Sequence, residues 1–195
     1  MRIVLALGCL AALGGFLGAV FLLPEQGDEP APGSTSSARD TEVLAAQAVR
    51  EVVAIRSAGA EAGLLSSQIF GVIGEAARQP RAAGGRTLRL ELPSLLAAAA
   101  IVWPRSDRAI SAQAPRREAA RRQRAILVRA IRSEEQSLAR LRRELGAGGD
   151  PWPPVLAFTS RSEELRRRLA REIDAMMVAI PAHESAALRR AFAGG

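Results

Sequence analysis

The sequence predicts an all-α protein, in which an N-terminal transmembrane helix precedes a helical bundle built on an antiparallel helical hairpin. Three observations support this fold class. The chain opens with a long uncharged apolar run, and two later segments repeat Leu and Ile at helical spacing. Only one short segment alternates clearly in the manner of a β-strand. The sequence therefore allows at most a minor two-stranded β ribbon.

The apolar run Ile3–Leu23 has the length of a membrane span. Its 21 residues rise about 31 Å as a helix, which matches a hydrocarbon core of roughly 30 Å. Arg2 precedes the run and acidic residues follow it, so the positive-inside rule places the N-terminus in the cytoplasm. We expect a single-pass protein of the inner (cytoplasmic) membrane with most of its chain periplasmic or extracytoplasmic. A cleaved signal peptide is the alternative, and it gives the same direction of export.

Three regions follow from this organisation. Residues 1–23 form the predicted transmembrane signal anchor. Residues 24–40 are rich in Pro, Gly, Ser and acidic side chains, and they predict a flexible tether. Residues 41–195 form the predicted helical domain outside the cytoplasm. The single cysteine of the chain lies in the anchor, so this domain can form no internal disulfide and its stability must come from packing.

The first half of the domain predicts helices interrupted by one strand. Thr41–Arg78 has helical spacing of its apolar residues, and we expect a break near Ser57–Gly59. The alternative is that its glycines line a face where another backbone comes close. After a loop, Thr87–Leu92 alternates apolar and polar residues and predicts a strand, for which Val155–Thr159 is the only evident partner. Ser94–Trp103 lies between two prolines and predicts a short buried helix; the alternative is a segment that dips into the membrane surface, with Trp103 at the interface.

The second half predicts the hairpin. Pro115–Leu145 is the longest expected helix, with Pro at its first position and glycines after its end. Arg161–Ile180 is the next, and a capping box begins it at Ser160. A short glycine- and proline-rich turn joins the two helices, so they should lie antiparallel with Leu138 opposite Ile173.

One face of the longer hairpin helix carries the candidate partner-binding residues. A narrow apolar stripe of this kind is typical of coiled-coil or hairpin packing. Glu134 falls inside the stripe, where an unpaired buried carboxylate would be costly. Either an arginine pairs with the Glu134 carboxylate or the side chain reaches solvent from the edge of the stripe, or else Glu134 fixes the specificity of helix pairing. In the last case, Glu134→Leu should change the oligomeric state or the partner. The stripe and its polar member are Leu127, Ile131, Glu134, Leu138, Leu141 and Leu145.

A cluster of arginines at the start of the same helix is the candidate anion contact. The net charge is +7, and all basic side chains are Arg, a bias that also fits a genome rich in G and C. The cluster is either a solvated charge run or a contact for acidic lipid headgroups or cell-wall polymer. The export signal, the few aromatics and the absence of a binding motif argue against nucleic acid. The cluster comprises Arg116, Arg117, Arg121, Arg122 and Arg124.

Signals for catalysis and for metal binding are poor. The chain has one His and no Tyr, and no motif supplies a nucleophile with a base, so we predict no enzyme and no cofactor. His183 and Glu184, at the start of a predicted last helix Ala182–Phe192, are weak metal candidates because a site needs three or four ligands. Otherwise Glu184 simply favours the positive helix start.

The sequence thus predicts a membrane-anchored extracytoplasmic scaffold or adaptor that binds protein partners, or itself, through helix faces. The alternative is a helical sensor of a metal or small ligand that signals to a membrane partner. A metal-dependent change in helix content, lost in His183→Ala, would favour the sensor.

Overall fold

The computed structural model describes residues 36–192, which form six helices and contain no strand. The all-α prediction is confirmed for this part of the chain. The predictions for the apolar run Ile3–Leu23 and for most of the tether lie outside the described residues. The helices are α1 Ser36–Ala58, α2 Ala60–Arg78, α3 Arg81–Ser111, α4 Glu118–Gly146, α5 Trp152–Ala179 and α6 Ala182–Phe192.

The break between the first two helices is confirmed. α1 ends at Ala58, and α2 begins one residue beyond Gly59. A Cβ on Gly59 would lie 3.2 Å from Cδ1 of Ile110, so this joint packs closely against α3. The predicted start of the helix at Thr41 is wrong, because α1 already begins at Ser36 and includes the end of the predicted tether.

The predicted strand is wrong, since Thr87–Leu92 lies inside the 31-residue helix α3. Leu88, Leu92 and Leu96 are buried at a spacing of four residues, whereas Leu90 is 79% exposed. The burial therefore follows the helical period and not the period of two. Pro93 and Pro104, which suggested helix boundaries, both lie inside α3. Pro93 is exposed, so the backbone carbonyl that it leaves without a hydrogen-bond donor lies on the side of the helix that faces solvent.

The hairpin forms with different helix starts. α4 begins at Glu118 and not at Pro115, and it ends at Gly146, one residue beyond the predicted Leu145. α5 begins at Trp152 and not at Arg161, with Pro residues in its first turn, where the N–H groups have no intrahelical acceptor. Ser160 is therefore not a cap, and its hydroxyl donates to the carbonyl of Leu156 at 3.0 Å.

The earlier start of α5 also changes the hairpin register. The predicted pairing of Leu138 with Ile173 is wrong by more than two helical turns. Arg129 of α4 instead reaches Glu172 of α5, with 2.7 Å between guanidinium nitrogen and carboxylate oxygen. The turn between the helices is shorter than expected, so residues nearer the start of α5 lie opposite each position of α4.

The core lies between helices that are mostly neighbours in sequence. α2 packs on α3, α3 on α4 and α4 on α5, while α1 packs on α4 and on α6. Trp103, Phe158, Ile55 and Leu141 are among the largest side chains that are fully buried. Between residues 36 and 192 we find no helix with both the length and the apolar character needed to cross a membrane.

Candidate functional site

The predicted partner-binding stripe of α4 faces the interior of the domain. Ile131, Leu138 and Leu141 are buried, and Leu127 and Leu145 are partly buried against the same core. The stripe packs within this chain and is not an exposed surface in this structure. Whether the stripe also binds a partner stays a prediction.

Glu134 holds a polar contact at the meeting point of four helices. Its carboxylate accepts a hydrogen bond from the Ser66 hydroxyl of α2 at 2.9 Å. Burial raises the pKa of the Glu134 carboxyl, and the Ser66 hydrogen bond, the charge of Arg166 on α5 and the nearby indole of Trp103 on α3 oppose that rise. The Trp103 N–H makes no hydrogen bond of good geometry with any described residue.

The surroundings of Glu134 suit a structural role better than acid–base chemistry. The expected arginine is Arg166, which acts through its charge, while the hydrogen bond comes from Ser66. The Arg166 guanidinium lies 5.5 Å from the ring centroid of Phe70, which the sequence did not indicate. Whether Glu134 fixes pairing specificity stays a prediction.

Most of the predicted anion-contact arginines are engaged within the domain. Arg121 and Arg122 each bind the Glu118 carboxylate at 2.6 Å. Their hydrogen bonds lower the pKa of Glu118. Arg124 donates to the backbone carbonyl of Gln113 in the connection before α4. These side chains fasten the start of α4 and the loop that leads into it, so less of their charge is free for an external anion.

Carboxylates from two other helices cap the start of α4. Glu51 of α1 accepts hydrogen bonds from the backbone N–H groups of Arg116 and Arg117 at 2.9 and 2.8 Å. Glu184 of α6 is 3% exposed and accepts from the N–H of Ala119 at 2.9 Å. The helix dipole and the unpaired N–H groups of a helix start both favour such anions. This end of α4 is therefore well capped despite its arginines.

His183 and Glu184, the weak candidates for a metal site, have different surroundings. Glu184 is committed to the start of α4, and His183 beside it is half-buried. Within the described part of the chain, no group of three or more His, Cys, Asp or Glu side chains is placed to hold a metal ion. The capping role of Glu184 was not visible in the sequence, because it depends on contact between α6 and α4.

One exposed face of α3 is free of charge over about three turns. Leu90 and Ile101 are 79% and 63% exposed, and Ala97 lies between them on the same face at 100° per residue. Leu64 of α2 is 61% exposed and lies one turn from Glu61. Glu61 pairs with Arg105 of α3 at 3.4 Å, and Arg105 lies one turn from Ile101. We call this surface the apolar strip; it comprises Leu64, Leu90, Pro93, Ala97, Ala100 and Ile101.

Arginines close both ends of the apolar strip. Arg86 precedes it and Arg108 follows it on the same face of α3, and both are exposed. The uncharged run from residue 92 to residue 104 was the available signal for this surface. Sequence reasoning missed it because it divided the run at its prolines.

The geometry defines an all-α domain of six described helices with one exposed apolar strip and no recognised catalytic constellation among residues 36–192. No protein-family model, curated protein or solved structure matches the chain.

Proposed function

We propose that this chain is a membrane-anchored extracytoplasmic adaptor, and that the apolar strip of α2 and α3 binds a protein partner. The exposure of Leu90, Ile101 and Leu64 on adjoining helices is the observation that carries the proposal. Contiguous exposed apolar surface of this kind often marks an interaction site. The predicted anchor and tether support the membrane-bound part of the proposal.

The shape and the charge of the strip define the chemistry of the partner. Its length on α3, from Leu90 to Ile101, is about 17 Å at the helical rise, which is three turns. An amphipathic helix with a three-turn apolar face fits such a surface. Arg86 and Arg108 at the two ends favour acidic residues flanking that face, because complementary charge aligns and speeds association.

Site-specific photocrosslinking in the native membrane tests this proposal. A photoreactive residue is placed at Ala97 inside the strip, or at Ala170, an exposed alanine of α5, as the matched control. We expect one stoichiometric protein adduct from Ala97 and none from Ala170. A second copy of this chain as the adduct would identify self-association through the same strip. Equal adducts from both positions, or lipid adducts alone, would contradict the proposal.

A pair of aspartate variants makes the test specific. Ile101→Asp should abolish the Ala97 adduct, because it puts a charge at the end of the strip, one helical turn from Ala97. Val178→Asp, at an 83% exposed position of α5, should leave it intact. Both substitutions lie on the surface and should change the free energy of unfolding by no more than about 0.5 kcal/mol. If Val178→Asp abolishes the adduct equally, the strip does not determine binding.

A further inference from the structure

A cleft opens where α1, α4, α5 and α6 meet, and it shares no residue with the apolar strip. Its volume is about 390 Å³, within the range of small-molecule sites. Its walls are mainly apolar, and the flexible side chains of Met176 and Met177 contribute to them together with Val52 and Leu188. Its polar lining consists of arginines and one glutamine, without any carboxylate.

Arg56 supplies a positive charge that has no counter-ion among residues 36–192. Its guanidinium carbon lies 4.2 Å from the ring centroid of Phe192, so the aromatic ring covers one face of the group. None of the hydrogen bonds or ion pairs between described residues engages its N–H edges. Burial lowers the pKa of Arg56, but an arginine starts so high that it remains charged at neutral pH.

Gln123 adds an unsatisfied polar group to the same cleft. The residue is only 2% exposed, and its Oε1 atom has no hydrogen-bond partner in the described part of the chain. A buried amide without a partner costs free energy, so a ligand that supplies the missing hydrogen bond would be stabilised here. A half-turn of the terminal torsion exchanges the amide oxygen and nitrogen, which lets the same position donate to an oxygen.

We propose that this cleft binds an amphiphilic carboxylate, with its head on Arg56 and Gln123 and its hydrocarbon chain between the apolar walls. The planar guanidinium fork matches the two oxygens of a carboxylate, and the apolar walls match an alkyl chain. This inference is independent of the adaptor proposal, because the strip lies on α2 and α3.

Photoaffinity labelling of the full chain tests the site. The chain is reconstituted in lipid nanodiscs and labelled with a diazirine-bearing decanoic acid, and the adducts are mapped by mass spectrometry. We expect adducts in the segments that contain Met176, Met177 and Leu188. Unlabelled decanoate should compete at concentrations at least tenfold below those of decanol, since the alcohol lacks the charge that Arg56 recognises. Adducts confined to other helices, or equal competition by decanol, would overturn the proposal.

Matched variants separate the recognition of the head from general damage. Arg56→Gln and Gln123→Leu should each reduce specific labelling at least tenfold. Gln123→Leu removes an unpaired buried polar group, so it should fold at least as stably as the parent chain. Arg50→Gln, at an exposed position of the same helix, should label normally. Unchanged labelling in Gln123→Leu, with circular dichroism showing a native helix content, would refute the assigned head contact.

Discussion

At Gly84, α3 comes so near to α2 that one added methyl group should damage the fold. A Cβ on Gly84 would lie 2.1 Å from the carbonyl oxygen of Ala76 and 2.9 Å from Cζ2 of Trp152. Reaching even 3.0 Å from that oxygen requires a separation of about 0.9 Å, and a backbone atom of a helix cannot swing aside. We expect Gly84→Ala to lower the free energy of unfolding by about 1–3 kcal/mol, the usual cost of overpacking.

The next residue supplies the control. A Cβ on Gly85 would lie 3.5 Å from Nε1 of Trp152 and 3.6 Å from Cγ of Pro151, which are ordinary contacts. Gly85→Ala should therefore fit, and it should raise the free energy of unfolding by about 0.5–1 kcal/mol because Ala favours helix over Gly. The two variants differ from the parent chain by the same single methyl group.

Urea denaturation followed by tryptophan fluorescence and far-UV circular dichroism measures the difference. Gly84→Ala and Gly85→Ala should differ in midpoint by on the order of 1 M urea, from typical denaturant slopes. Trp152 reports on the same contact, because its indole N–H donates to the carbonyl of Arg81 at 3.0 Å. If Gly84→Ala unfolds at the same or higher urea than Gly85→Ala, the close packing of α2 on α3 is refuted.

Three further substitutions test other contacts. Burial raises the pKa of the Glu134 carboxyl in the folded state, so the stability that Glu134 contributes is lost as the pH rises through that pKa. Glu134→Gln does not ionise, so its stability relative to the parent chain should increase from acidic to neutral pH. Thermal melts that show no such trend would argue against the burial of Glu134. Glu184→Ala should cost about 1–2 kcal/mol by removing the acceptor of the Ala119 N–H, while exposed Asp174→Ala should cost less than about 0.5 kcal/mol in the same urea titration. Pro93→Ala should raise the free energy of unfolding by about 1–2 kcal/mol, and the thermal midpoint with it, because the variant restores a backbone donor inside α3. A lowered midpoint would show that the proline is required there.

Local patterns predicted the helices but not all of their limits. The break at Gly59 and the end of α4 at Gly146 were visible in sequence, because glycine is a poor helix former. The helical conformation of Thr87–Leu92 was not visible in the sequence, because six residues with leucines at every second position fit a strand as well as one side of a helix. Burial of Leu96 and Trp103 beyond Pro93 decides for the helix, and that burial depends on packing with other helices.

The candidate sites depend on residues far apart in sequence. Glu134 was identifiable as unusual, but Ser66, which hydrogen-bonds it, lies 68 residues earlier. In the same way, the α4 stripe was identified as an apolar packing face and predicted to bind a partner, while its burial inside the domain could not be read from periodicity. Periodicity gives the side of a helix that packs and does not say against what.

The contact of α1 with α6 sets the order in which this domain can be completed. The pairs α2–α3, α3–α4 and α4–α5 join neighbouring segments, so their loops close at little entropic cost and they can form early. The 11-residue α6 is too short to be stable alone and can form only on its neighbours. During synthesis, α1 therefore emerges before the rest of the domain, yet the face of it that packs on α6 is covered last. Until Leu188 arrives, that face is open to chaperones and to aggregation.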